Sequence, residues 1–368
     1  MLRITHGQML SIIILSQLVQ IYVYSPAYMA QHVKQHVWLP LLLAIILSLL
    51  IGWGMLTISR FFAGDSFLVV LQRLTGKFLG GIIGLLYFVY FFILFVIHTQ
   101  MIVTTFKSLF LPRTPTYATL ILVLILALYC SLLGIEVLAR ASNMVMLLFI
   151  LVLLFLILAV LPNIHVSYYL PLLPRSTENL WYGTLIPFMS MGQVVIISAI
   201  YPFVNYKEET AKVGWLILGI FFALLITSMV VLESVGAFSA FELERLRYPT
   251  VELITLIQVG EFMERLEIFL VTMWAGAVLM VIGILFTIAC YTFKQVFQRN
   301  NMEAKVLNLL LIFTSFILIV LFVPNSDELI SFIFGRWVYI SLLFQAVMPI
   351  ALLLIFFIRT KVMKYAKH

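Results

Sequence analysis

Residues 144–161 read MVMLLFILVLLFLILAVL, a run of 18 positions without a charge, amide or hydroxyl, and residues 162–180 follow with PNIHVSYYLPLLPRSTENL. At 1.5 Å per residue the first stretch makes a helix about 27 Å long, the scale of a bilayer's hydrocarbon core. The second is crowded with proline and polar side chains, so it cannot continue a helix through lipid and must return the chain to water.

Outward from that pair, the same alternation of apolar run and polar break covers the whole chain. The spans expected from it are 8–32, 37–59, 79–106, 116–133, 137–161, 181–204, 213–235, 265–293, 305–323 and 336–358. About ten such helices consume roughly 200 residues. Of the 368 residues, 64% are hydrophobic and 10% charged, against about 45–50% and 25% in soluble domains. The expected fold class is therefore an all-α integral membrane protein of about ten transmembrane helices, with no separate soluble domain. The apolar N-terminus lacks a small-residue cleavage site and reads as a retained first helix. Cys130 and Cys290 both fall in apolar runs and read as packing residues.

The net charge of +7 finds its explanation in membrane orientation, not nucleic acid. With ten spans both termini share one side, and that side collects 14 of the 22 Lys and Arg but only 5 of the 15 acids. Both termini, including the basic tail 359–368, are expected in the cytoplasm. The loop 162–180 divides the chain into five-helix halves, 1–161 and 181–358. The loop 236–264 interleaves acids with Arg245 and Arg247 among apolar residues, which reads as short amphipathic helices on the outer surface. Glu136 and Glu233 are expected at solvated helix ends.

Transporters built as two inverted five-helix repeats place their ligand at midplane, between interrupted helices at matching positions of the halves. Span one carries Pro26 and a polar cluster; span six carries Pro187, Gly192 and Pro202. Gln17, Gln20 and Tyr24 share a face of span one, with Tyr22 beside them, as either ligand contacts or interhelical hydrogen bonds. His98 in span three is either a ligand or proton contact or a histidine satisfied by a neighbouring hydroxyl. In span six Ser190, Met191, Gly192 and Gln193 border the Pro187 kink, where freed backbone groups can meet a ligand's charged ends. Glu264, Arg265, Glu267 and Trp274 cluster at the start of span eight and read as a structural clamp for the outer loop. His32 and His36 lack a third ligand, so no metal is expected. No HExxH, Gly-x-Ser-x-Gly or phosphate-cradling loop is present, which argues against an enzyme and against a cofactor.

Arg247-Tyr248-Pro249-Thr250, followed by Glu264-Arg265-Leu266-Glu267 and Trp274, resembles the B-subunit family of spore germination receptors, permease-like proteins of the amino acid–polyamine–organocation superfamily. Thr75-Gly76-Lys77 with Gly80 and Gly84, Leu111 with Thr114-Pro115, Gly134 with Arg140, and Leu170-Pro171 occur in the same order. The resemblance implies a five-plus-five inverted repeat with unwound centres in helices one and six, and an inner spore membrane location. It further implies recognition of an amino acid, sugar or nucleoside germinant together with A and C subunits, in the bilayer and without nucleic acid. Tyr248, Pro249 and Thr250 then serve structure or assembly. Span one departs from the superfamily pattern: Val19-Gln20-Ile21-Tyr22-Val23-Tyr24 stands where Gly-x-Gly is usual, and Gln193 stands where Glu is common. The alternative is a secondary amino-acid permease coupled to protons or Na⁺.

The charge asymmetry generates a topological prediction. A Ser239→Cys variant lacking Cys130 and Cys290 is labelled by an impermeant thiol reagent in intact, right-side-out membranes. Labelling only after permeabilisation would invert the orientation.

Overall fold

The computed structural model describes residues 4–19, 24–174, 178–205, 213–257, 266–297, 304–322 and 326–365, with the backbone alone for 266–269 and the ends of several segments. Among these residues the chain is almost wholly helical, and its one β feature is an isolated bridge between Ile4 and Val204.

Helix one is divided. The helix α1 (His6–Leu18) opens on a capping box in which Thr5 and Gln8 satisfy each other's backbone N–H. The chain resumes as α2 (Ser25–Val33), with Pro26 in the first turn, where a missing N–H costs nothing. Expected residues Gln20 and Tyr22 fall between them, outside the described residues. Lys34, at φ 51°, turns the chain into α3 (Trp38–Phe61). There follow a short α4 (Phe67–Thr75), α5 (Lys77–Leu109), α6 (Thr116–Leu133) and α7 (Ile135–Val160).

The second half begins with α8 (Leu180–Met191), which passes through a 3₁₀ turn at Gly192–Val195 into α9 (Ile196–Ile200). Then come α10 (Val213–Leu243), α11 (Pro249–Thr255), α12 (Leu266–Val296) and α13 (Ala304–Phe322). The last stretch is α14 (Ser326–Phe332), α15 (Val338–Leu342) and α16 (Met348–Tyr365), joined by π-helical turns at Ile333–Trp337 and Leu343–Val347.

Among the described residues eight helical stretches are long and apolar enough to cross a membrane. Expected span one is split into α1 and α2, and the latter runs on into the α3 stretch. Expected span nine corresponds to α13 (Ala304–Phe322). The stretch from Leu180 to Phe203 is almost entirely buried, whereas α6 and α7 keep most side chains facing outward. Packing follows from this: α3 and α1 lie against the buried centre, α12 runs along α5 and α6, and α7 sits at the perimeter.

Two expectations need correction. Glu233 is not solvated: it is 6% exposed, because α10 continues eight residues past the expected end at 235. The loop before α8 covers that end, with Tyr169 Oη donating to Leu232 O at 3.0 Å and His165 N–H donating to Gly236 O at 2.9 Å. Nor does 236–264 lie wholly on the surface. Its first part extends α10 through a bend at Ser239, and α11 buries Pro249, Thr250, Leu253 and Ile254. Glu136 is partly exposed and pairs with Arg140 as a helical neighbour.

Gly76 turns the chain at φ 92°, folding α4 back on α5. Their backbones touch where Gly80 faces Gln72: a Cβ there would stand 2.5 Å from Gln72 Cα and 2.6 Å from its N. Neither atom can yield as a side chain does. Gly80→Ala is expected to destabilise the fold by about 1–3 kcal/mol. Gly81→Ala, where a Cβ meets open space, serves as the control. Thermal unfolding of the purified protein checks this; equal midpoints for the two variants would contradict the α4–α5 contact.

Candidate functional site

The buried centre of the bundle is the place where α8 stops being α-helical. Pro187 lies inside α8 and lacks the N–H that Gly183 O would accept. Five residues later the chain narrows into the 3₁₀ turn at Gly192–Val195 while keeping right-handed helical dihedrals at both junctions. The centre of helix six is thus overwound and not extended. A 3₁₀ turn moves each carbonyl's partner from i+4 to i+3, so carbonyls at the junction need donors from elsewhere.

Two glutamines supply them. Gln345, in the second π turn, donates through Nε2 to Met189 O at 2.9 Å and to Tyr90 Oη at 2.8 Å. Gln17, from α1, has its amide oriented by its neighbours: Nε2 donates to Met191 O at 3.0 Å and Ser190 O at 3.1 Å, and Oε1 accepts from Val194 N–H at 3.2 Å. Gly192 is small because Gln345 presses on it; a Cβ there would meet Oε1 at 2.4 Å. Each buried carbonyl left without a donor would cost about 1–3 kcal/mol. The π turns are held similarly: Tyr87 Oη donates to Phe344 O at 3.1 Å, and Tyr182 Oη to Phe334 O. Tyr90 stacks between Trp337 and Phe344, with centroids at 5.5 and 4.7 Å.

Beside this junction lies a small cavity with about 30 Å³ open to the centre of a water-sized sphere. That admits water and is too small for an amino acid without some opening. Its wall brings together Tyr24 from the start of α2, His98 and Met101 from α5, Met189 and Ser190 from α8, and Trp337. No Lys, Arg, Asp or Glu lines it. His98 is 2% exposed, and its Nδ1 lies 2.7 Å from Leu94 O. A carbonyl only accepts, so Nδ1 carries the proton, and in the neutral ring Nε2 is an acceptor. Nε2 has no partner among the described residues.

The expected site residues therefore divide. Tyr24, His98 and Ser190 converge on the cavity. Gln17 hydrogen-bonds the backbone of α8. Met191 and Gly192 are buried behind the wall. Gln193 is 1% exposed with both amide atoms unpartnered, away from this cavity. Sequence reading missed Gln345, Tyr90 and Trp337. The available signal was the lone amide of span ten, since an amide in hydrocarbon must find a partner.

Two of the residues expected to serve structure, Trp274 and Tyr248, meet the two ends of the helix-one break. Trp274 Nε1 donates to Val19 O at 3.1 Å. Tyr24 Oη is 3.3 Å from Thr105 Oγ1, and its ring lies 5.5 Å from that of Tyr248. Pro249 opens α11, and Arg247 pairs with Asp327 at 2.7 Å. Glu264 and Arg265 fall outside the described residues, as does the side chain of Glu267. Among the described residues no group of His, Cys, Asp and Glu could hold a metal.

Comparison with known proteins meets this geometry from two directions. The profile of the family described as "Spore germination protein" matches residues 3–329. Spore germination protein YndE of Bacillus subtilis (strain 168) is 23% identical over 320 residues, 86% of each chain. Spore germination protein KB of the same strain is 22% identical over 308 residues, 82% of this chain and 79% of that one. Among solved structures, MhsT in complex with L-phenylalanine superposes with a TM-score of 0.65 at 13% identity, covering 97% of this chain and 99% of that one. The nucleobase-cation-symport transporter MHP1, in a closed conformation, gives 0.60 at 12% identity, covering 95% and 78%. The structural likeness shows the fold, that of amino acid–polyamine–organocation-type transporters. With the family profile matching from residue 3 to residue 329, this integral membrane chain belongs to the spore germination protein family of spore permeases.

Proposed function

We propose that this chain is the membrane subunit of a spore germinant receptor, recognising a small germinant at the cavity between α2, α5 and α8 and signalling through A and C subunits. The observation that carries the reading is the meeting of Tyr24, His98 and Ser190, from three distant stretches, on one small cavity beside the overwound centre of helix six. Its wall offers hydroxyls, an unpartnered imidazole acceptor and aromatic rings, and no formal charge. Such a wall suits a germinant that is uncharged or zwitterionic: an amino acid, nucleoside or sugar. A receptor needs only that the ligand bind one state better than another. The small cavity supplies that difference, because an occupied site must be an enlarged one. The inner spore membrane, with both termini cytoplasmic, is the location that goes with this role.

The transporter fold favours a second reading, a secondary amino-acid permease coupled to protons or Na⁺. Saturable uptake of an amino acid by the isolated chain in vesicles would support it over the receptor.

The test of the site is a binding screen of amino acids, nucleosides and sugars on the chain purified with its A and C subunits. His98→Phe is expected to weaken binding of the responding germinant by about 5- to 150-fold, the effect of one lost buried contact, at unchanged abundance. Gln345→Leu strands Met189 O and Tyr90, so it is expected to lower thermal stability instead. Full affinity in a folded His98→Phe protein would remove this cavity from the germinant site.

A further inference from the structure

A second cavity lies on the far side of the Tyr24–Thr105 contact, between α5, α7, α11 and α12. It is larger than the first, with about 40 Å³ open to the centre of a water-sized sphere. Its wall is hydrocarbon from Phe149, Leu153, Leu156, Ile254 and Leu270, relieved by Thr105, Thr250 and the indole of Trp274. Thr105 and Trp274 are committed to Tyr24 and Val19. Thr250 is 7% exposed and its hydroxyl has no partner among the described residues. Water gains little in such a space. Every lining residue is buried except Val152 and Val251, which are half-buried and mark the mouth. The α7 side of the mouth adjoins Leu151, Leu154 and Phe155, exposed apolar side chains on the bilayer-facing perimeter. Thr250 follows three residues after the charged Arg247, so it sits near the membrane–water boundary, the depth of lipid ester groups.

We propose that this cavity, which like the first must open to seat more than a water-sized group, takes the ester-proximal part of one acyl chain of a bilayer glycerolipid, with Thr250 Oγ1 donating a hydrogen bond to the chain's ester carbonyl. The site has a consequence for helix one. Trp274 holds the carbonyl at the end of α1 and Thr105 holds the tyrosine that precedes α2, so a chain seated against both stiffens the two ends of the break. Lipid occupancy then biases the segment that borders the candidate germinant cavity.

The test uses the full chain in nanodiscs of phosphatidylcholine carrying a photoactivatable diazirine on one acyl chain, with cross-links mapped by mass spectrometry. Surrounding lipid labels perimeter positions such as Leu151 and Phe155 in any case. The expected result is additional labelling of the buried Leu153, Leu156 or Leu270. That labelling is lost in Val152→Phe, which closes the mouth, and reduced in Thr250→Val, while perimeter labelling persists as evidence of folding. A Val251→Phe variant closes the mouth from the other side should Val152→Phe fold poorly. In a second arm a long-chain alcohol bearing the same diazirine is added to nanodiscs of plain lipid. Buried labelling by the alcohol but not by the phospholipid would overturn the lipid as occupant. Perimeter labelling alone would overturn the site, and buried labelling unchanged in Thr250→Val would overturn the ester contact.

Discussion

A backbone carbonyl inside a membrane has no water to fall back on, and the rest of this structure depends on that constraint. Regular helices satisfy it internally, but a site requires a place where regularity fails. Here that place is the junction of α8 with its 3₁₀ turn, and the failure is repaired by Gln17 and Gln345, side chains 328 positions apart in sequence. The repair ties the first helix and the last helical stretch to three successive carbonyls of the central helix, two held by Gln17 and one by Gln345. Removing either glutamine leaves bare polar groups in hydrocarbon, so the irregular geometry is tied to a specific packing and not to local propensity.

Helix one follows the same logic with other residues. Trp274 satisfies Val19 O, and Tyr24 is fixed by Thr105 and Tyr248. The candidate germinant cavity lies between the two breaks, with Tyr24 on one side and Ser190 on the other. A rearrangement at one break cannot leave the other untouched, because packed cores switch between discrete arrangements and do not deform continuously. In a receptor that linkage carries a signal; in a transporter it alternates access.

Much of the fold was legible because hydropathy is a long-range statement: an apolar run of twenty residues has few alternatives to crossing a bilayer. The interruptions were legible too, from Pro26, Pro187 and Gly192, whose backbone chemistry is independent of context. What could not be read was direction. Gln17 shares its helix face with Gln20 and Tyr24, yet its amide turns onto the backbone of α8. The π turns that point Gln345 inward leave no mark in the sequence. Glu233 was misplaced because the end of a helix was judged from hydropathy alone, whereas Tyr169 and the preceding loop extend and cover it. The Arg247–Thr250 motif sets the Tyr248 ring beside Tyr24 and pairs Arg247 with Asp327.

The most direct measurement is an experimental structure of the chain assembled with its partner subunits at saturating germinant. The account predicts ligand density between His98 Nε2 and Ser190, in an enlarged cavity, with Gln17 and Gln345 still on the α8 carbonyls. Ligand density elsewhere, or a Gln17 amide that leaves Ser190 O and Met191 O to contact the ligand, would contradict it.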